Sequence, residues 1–321
     1  MRKLWFGLLV ATALGVNAAP MGILVPAYFG PTGRFWDELN FAAFRVPLVA
    51  IMNPNNGPGT TQSSDYVAAV NGLRTAGGRV IGYVYTSYAA RDTNTVKADI
   101  DRYFSFYSVD GIFLDEMTND GNANHLNYYA AIYQYIQQQG TNLLVVGNPG
   151  INTQEIYLTR PTANVLVTFE ADTGYPALVV DRWVTNHLAR QFSHLPYNAS
   201  SATTMTNYVN LAAGRNAGWI YVTDDVLPNP WNTLPAYWTN EVNYIRSLNQ
   251  SVPATQLRVL SLSNRIPSLQ ISGAPGTYEL QATSNLASWF PVATVNAATN
   301  AVNVKDATAT NSAGRLYRTR Q

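Results

Sequence analysis

The sequence predicts a (β/α)8 TIM barrel followed by a small all-β C-terminal module, and three observations carry that prediction. Eight short apolar runs alternate with helix-length amphipathic segments between Gly22 and Asn249. Spread over roughly 230 residues, they match the scale of a closed barrel of ~250. Beyond that point the alternation gives way to short period-two runs rich in Ser, Thr, Ala and Asn. Finally, acidic and polar residues recur just after the apolar runs, where a barrel opens its C-terminal mouth. A doubly wound open sheet is the competing architecture, but no Gly-x-Gly-x-x-Gly turn or phosphate loop accompanies it.

In chain order, Arg2 and Lys3 precede an apolar stretch and a small-residue site at Val16-Asn17-Ala18. That order reads as a secretory signal over residues 1–18. The apolar part is shorter than the ~20 residues a membrane-spanning helix needs. A secreted protein with no membrane span is therefore expected. With no Cys, it must rely on its core rather than on disulfides.

The barrel is expected over 19–250. Its strands are expected at 22–29, 46–53, 80–88, 111–115, 143–148, 165–170, 190–194 and 219–223. Between them, Val67, Val70 and Leu73 fall on one helical face, with Ser63 as N-cap and Gly77-Gly78 as a stop. Val96, Ile100, Phe104 and Tyr107 repeat the pattern, as do Leu126, Tyr129, Tyr133 and Ile136. The helix around 152–158 is short. The β module is expected over 257–321, with strands at 268–271, 277–283, 289–294, 301–305 and 316–320.

Composition narrows the function. Charged residues make up 12% of the chain, about half the usual ~25%. The net charge of +1 gives no footprint for nucleic acid. Tyr outnumbers Phe 20 to 11, beside 7 Trp. Such side chains pair an apolar face with a polar tip, which suits sugar rings as well as core packing.

The chemistry gathers at the fourth run, Gly111-Ile112-Phe113-Leu114-Asp115-Glu116. A buried strand that ends in carboxylates delivers chemistry to a barrel mouth; a helix N-cap is the plainer use of the same acids. Strands four and six are both even, so their inward residues share a layer. Asp115 and Glu170 are the first acids at the ends of those strands and should converge. By pleat, Glu116 should point the other way. Two converging carboxylates suit glycoside hydrolysis, one as nucleophile or base and the other as proton donor. Tyr28, Asn53, Tyr88, Arg91, Asn148, His194, Asp224 and Asp225 also follow strands and are expected to line the cleft. No His-Glu-x-x-His or Gly-x-Ser-x-Gly pattern is present. Asp115, Glu116, Asp224 and Asp225 could bind a divalent cation through oxygen, but nothing in their spacing demands it. No metal or cofactor is expected.

The barrel resembles the spherulin-4 family, which corresponds to glycoside hydrolase family 135. The resemblance rests on Val25-Pro26-Ala27-Tyr28, Asn53-Pro54 with Gly57-Pro58-Gly59, and Gly82-Tyr83-Val84-Tyr85-Thr86-Ser87-Tyr88 with Arg91. It continues through Asp110 to Glu116, Asn148-Pro149-Gly150 and Phe169-Glu170. Tyr221-Val222-Thr223-Asp224-Asp225, Asn229-Pro230-Trp231 and Leu234-Pro235 complete it. Ala89-Ala90 departs from the pattern, which has a Gly after the tyrosine.

The resemblance implies an extracellular endo-acting hydrolase of α-1,4-linked galactosamine or N-acetylgalactosamine polymers, such as those of fungal and bacterial biofilm matrices. It implies Asp115, Glu116 and Glu170 as the essential acids and adds Trp231 to the substrate-binding residues. Within the trio, Asp115 as nucleophile with Glu170 as acid/base is favoured. The rival assignment has Asp115 orienting a substrate acetamido group while Glu116 is the acid. A non-catalytic glycan-binding or structural wall protein is the alternative on the same barrel. The C-terminal segment is similar to small β modules of secreted bacterial proteins, with glycan binding, spacing or surface attachment as its uses. A monomer is expected.

Overall fold

The computed structural model describes residues 20–140, 142–251, 256–273, 276–297, 301–311 and 315–320. The expected signal segment lies outside the described residues. Pro20–Ser251 forms one compact unit, and the described residues beyond it form another.

The first unit is a closed barrel of eight parallel strands in sequential order. Its first half runs β1 (Gly22–Ala27), α1 (Arg34–Ala43), β2 (Leu48–Met52), α2 (Ser64–Thr75), β3 (Arg79–Tyr85), α3 (Thr93–Phe106), β4 (Gly111–Asp115) and α4 (Ala123–Gln139). The second half runs β5 (Leu144–Gly147), α5 (Ile156–Thr159), β6 (Val165–Ala171), β7 (Phe192–Pro196), α6 (Ala202–Gly214), β8 (Trp219–Ile220) and α7 (Trp238–Ser251). Two departures from the ideal repeat concern the site. The helix after β5 is four residues long, and three 3-10 turns replace the helix between β6 and β7.

These strands are near-continuous apolar runs because helices cover the outside and side chains fill the inside. All six residues of β1 and all five of β2 are buried. Each fully buried Val, Leu or Ile contributes about 1.5–3 kcal/mol of transfer free energy. Ser63 caps α2 by accepting from Tyr66 N, as its sequence position predicts. Asp92, Asn122 and Ser201 cap α3, α4 and α6 in the same way. Closure depends on glycine at Gly22, which pairs with Trp219 across the β1–β8 seam. A Cβ there would come within 2.3 Å of the Trp219 ring. At the start of β4, Gly111 has φ +155° and lies so close to β5 that a Cβ would meet Leu144 O at 1.9 Å.

The second unit comprises two three-stranded antiparallel sheets. Their strands are β9 (Gln256–Ser263), β10 (Ile266–Ser272), β11 (Gly276–Thr283), β12 (Phe290–Ala297), β13 (Ala301–Lys305) and β14 (Leu316–Arg320). The orders are β13-β10-β9 and β12-β11-β14. Leu269, Ile271, Tyr278, Leu280, Ala297 and Val304 form its core. β9 escapes sequence reading because almost none of its residues is buried, so it shows no two-sided pattern. Among the described residues of both units, no helix is long and apolar enough to cross a membrane.

One buried acid of the barrel has no place at its mouth. Glu241 on α7 is fully buried, with Oε1 accepting from Val222 N at 2.9 Å and no hydrogen-bond partner for Oε2 among the described residues. Burial holds its carboxyl far above the ordinary range, against the pull of the Val222 bond. The folded state therefore binds a proton that the unfolded chain releases above pH of about 4.3, so stability falls as pH rises past that point. Glu241→Gln should remove this loss. Thermal melts should show the variant about 2–4 °C above wild type near pH 8, with the two curves converging near pH 4. Melting temperatures that stay parallel across that range would contradict the assignment.

Candidate active site

The site begins with the alternation of β3 and β4. Tyr83 pairs in register with Phe113, and Tyr85 with Asp115. Tyr83 and Phe113 stack with centroids 6.2 Å apart, and the next residue on that face of β4 is Asp115. The Tyr83 hydroxyl lies near the Asp115 carboxylate and favours its charged form. Asn148 follows β5 directly, and its backbone extends the ladder through Asn148 N to Leu114 O and Met117 N to Asn148 O.

Asn148 links the two acids. Its Nδ2 donates to Asp115 Oδ1 at 2.7 Å and to Glu170 Oε2 at 2.6 Å. Laid end to end, these bonds limit the separation of the two oxygens to about 5.3 Å. Glu170 is fixed from its own strand as well: its N–H donates to Gly150 O at 2.8 Å, while Gly150 N donates to Val167 O. An irregularity between Val167 and Phe169 shifts β6 against β7 just before Glu170. Trp231, 6% exposed, lies beside Glu170 and favours its charged form.

Asn148 thus donates to both acids, yet both are costly to ionise. Burial first, then the negative charge of Asp115, pushes Glu170 up to about 7, against the pull of Asn148 and Trp231. Asp115 is also raised, chiefly by burial, against the pull of Tyr83, Asn148 and the Glu116 backbone. Tyr28 packs edge-on to Tyr83 at 5.4 Å. Burial and the charges of Asp115 and Glu170 hold its phenol protonated, so it can donate.

Glu116 departs from the pleat that the sequence suggests. Its φ is +52°, so the strand ends at Asp115 and alternation no longer directs the side chain. Thr86 Oγ1 and Tyr88 N donate to its carbonyl at 2.9 and 2.8 Å. Its carboxylate is half-buried, has no hydrogen-bond partner among the described residues, and acts electrostatically on Asp115 and Tyr83. The facing turn is left-handed over three successive residues: Ser87 (φ 47°), Tyr88 (53°) and Ala89 (68°). Ala89 occupies a backbone conformation that glycine adopts freely, which is the physical content of its departure from the family pattern.

Several expected cleft residues serve the scaffold instead. His194 is fully buried, with Tyr175 Oη on Nδ1 at 2.8 Å and Thr168 Oγ1 on Nε2 at 3.1 Å. Burial, then the Arg215 charge, lowers it to about 3, so it is a neutral packing residue and not a wall of the cleft. Arg91 donates to Tyr85 O, pairs with Asp99 and lies over the Tyr85 ring. Its charge is spent inside the scaffold. Asn53 Oδ1 accepts from Gly57 N and shapes its own loop. Asp225 accepts from Val226 N and Thr233 Oγ1, and Asp224 from Ala236 N. These two acids hold the loop that carries Trp231; they make no bond to the acid pair. Asn148, Tyr28 and Trp231 do adjoin the pair.

Sequence reasoning gave no role to Tyr83 or Tyr197. Tyr83 stands two residues before Tyr85, the register partner of Asp115, so the pairing of neighbouring strands was the signal for it. Tyr197 packs edge-on to Trp231 at 5.7 Å, and no local pattern marks it. Among the described residues no group of three His, Asp or Glu side chains could hold a metal ion.

The class defined here is an eight-stranded parallel barrel with two carboxylates joined by one amide at its C-terminal mouth. More narrowly, the chain belongs to the spherulation-specific family 4, whose model matches residues 22–245. Spherulin-4 of Physarum polycephalum is 32% identical over 246 residues, covering 73% of this chain and 72% of that protein. Among solved structures, Aspergillus clavatus Sph3 in complex with GalNAc has a TM-score of 0.62 at 22% identity, covering 72% of this chain and 99% of that one. At that identity the likeness shows a shared barrel.

Left-handed residues other than glycine cost roughly 1–2 kcal/mol each. Ala89→Gly should therefore raise the free energy of unfolding by about 1 kcal/mol, less the entropy that glycine adds to the unfolded chain. Urea denaturation measures it, and a loss of stability would show that φ +68° at Ala89 carries no strain.

Proposed function

We propose that this protein is a secreted glycoside hydrolase that cuts within α-1,4-linked galactosamine and N-acetylgalactosamine polysaccharide by a retaining, two-carboxylate mechanism. The observation that carries the reading is the single Asn148 amide donating to both Asp115 and Glu170. The bonded oxygens lie no more than about 5.3 Å apart, which is closer than the ~6.5–9.5 Å of inverting pairs and so favours retention. Family membership and the GalNAc complex of the Aspergillus clavatus relative support the sugar. The order of residues 1–18 supports export.

In this mechanism Glu170, protonated near neutrality, gives its proton to the glycosidic oxygen as the C1–O bond breaks. Asp115, held by Tyr83 and Asn148, supplies an electron pair to C1 and forms a glycosyl ester. Glu170, now ionised, takes a proton from water, whose oxygen attacks C1 and releases Asp115. The next turnover begins with the proton back on Glu170. Trp231 steadies the ionised form of Glu170 between the two steps.

A second reading draws on Glu116. Its left-handed turn leaves beside Asp115 a carboxylate with no hydrogen bond among the described residues. That arrangement suits a substrate-assisted route in which Asp115 orients the acetamido group and Glu116 is the acid.

Asp115→Asn and Glu170→Gln should each lower the rate on partly acetylated α-1,4-galactosaminan by about 10²–10⁴-fold. Product sizing by electrophoresis reads it, with circular dichroism to confirm folding. Glu116→Gln should cost much less; an inactive Glu116→Gln beside an active Glu170→Gln transfers the acid role to Glu116. Wild-type rates should fall as pH rises through about 7, where Glu170 loses its proton. A barrel that binds the polymer and never shortens it would establish the non-catalytic alternative.

A further inference from the structure

Tyr88 sits where a fold gains little from a tyrosine. It is 62% exposed, its hydroxyl has no hydrogen-bond partner, and its ring meets no other aromatic ring among the described residues. Burying such a side chain would be the usual source of stability, and here that source is largely forgone. The backbone beneath it is unfavourable as well. Ser87, Tyr88 and Ala89 are all left-handed, and none is Gly or Asn.

The turn keeps this conformation because it is tied on several sides. Thr86 N donates to Asp115 O, Tyr88 N to Glu116 O, Ala90 N to Ser87 O and Arg91 N to Thr86 O. Arg91 is anchored in turn on Tyr85 O and Asp99, while Tyr128 donates to Arg91 O. Arg91 thus maintains the turn. Backbone strain that its surroundings over-determine is a mark of functional segments. Here it ties the Tyr88 backbone to Glu116 O, next to the acids, and leaves the tyrosine ring exposed.

An exposed aromatic ring on a firmly tied backbone, near a sugar-cleaving pair, has an evident use. A galacto-configured pyranose has C–H groups on one face, and that face lies against the flat side of an aromatic ring. Resting on the hydrolase reading, we propose that Tyr88 is a stacking platform for a galactosamine-type ring flanking the cleaved linkage, and that the left-handed turn exists to hold it there. It acts on substrate binding equally before and at the transition state, so its contribution appears in KM rather than kcat. A tyrosine left exposed by chance would contribute to neither.

The test compares wild type, Tyr88→Ala and Tyr88→Phe on partly deacetylated α-1,4-galactosaminan, with steady-state kinetics and affinity electrophoresis in gels containing the same polymer. Tyr88→Ala should raise KM about tenfold, as expected for loss of one aromatic contact, with kcat within about twofold. Tyr88→Phe should restore KM, because the ring rather than the hydroxyl binds. An unchanged KM in Tyr88→Ala, or no rescue by Phe, overturns the platform. If wild type is retarded in the gel and cleaves nothing, the hydrolase reading fails on its own; loss of retardation in Tyr88→Ala then upholds the platform, and full retardation overturns it. Wild type that neither binds nor cleaves the polymer overturns both.

Discussion

The Asn148 side-chain amide is the interaction on which the rest of the site depends. One nitrogen with two N–H groups serves two carboxylates, 2.7 and 2.6 Å away. Asn148 can do so because its backbone continues β5 between β4 and the loop leading to β6. The barrel supplies the rest of the constraint, since closing eight parallel strands brings the ends of β4, β5 and β6 side by side. Without the amide, two half-buried acids a few ångströms apart would repel each other when both ionised. With it, the lone charge of Asp115 is held by donors while Glu170 stays near neutrality. That division of protons is what an acid/base pair requires.

The scaffold around this pair places polar groups with similar economy. Tyr83 serves Asp115, Trp231 serves Glu170, and the loop bearing Trp231 is held by Asp224 and Asp225. Two acids that their place after β8 assigns to the cleft therefore act one step removed, on the loop that carries the indole. Arg91 plays a similar part for the turn at Tyr88. In each case a charged side chain pairs with nearby backbone or an opposite charge, as a partly buried charge must to offset its desolvation.

The architecture and the acid pair were legible in the sequence because both follow from local rules. Apolar runs alternating with helical periodicity at the right length define a barrel, and a barrel assigns meaning to the last residue of each strand. Asp115 and Glu170 were found that way. What stayed hidden depends on contacts between distant segments. The sequence places His194 at a strand end, but β7 continues to Pro196, so His194 lies inside the strand and meets Tyr175 from the 3-10 turn after β6. The orientation of Glu116 was obscured because pleat alternation assumes extended backbone, and its φ is +52°. Asn148 was read as a substrate contact, since no sequence rule distinguishes an amide that meets a ligand from one that joins two acids. β9 gave no pattern because it is largely exposed on both faces.

In the proposed mechanism Asp115 attacks and Glu170 carries the proton. The most direct measurement is to trap the enzyme with a 5-fluoro galactosaminyl fluoride and locate the adduct by peptide mass spectrometry. The account predicts a glycosyl ester on Asp115, separable from Glu116 by fragmentation of the same peptide. An adduct on Glu116 or Glu170, or turnover of the reagent with no protein adduct at all, would contradict it.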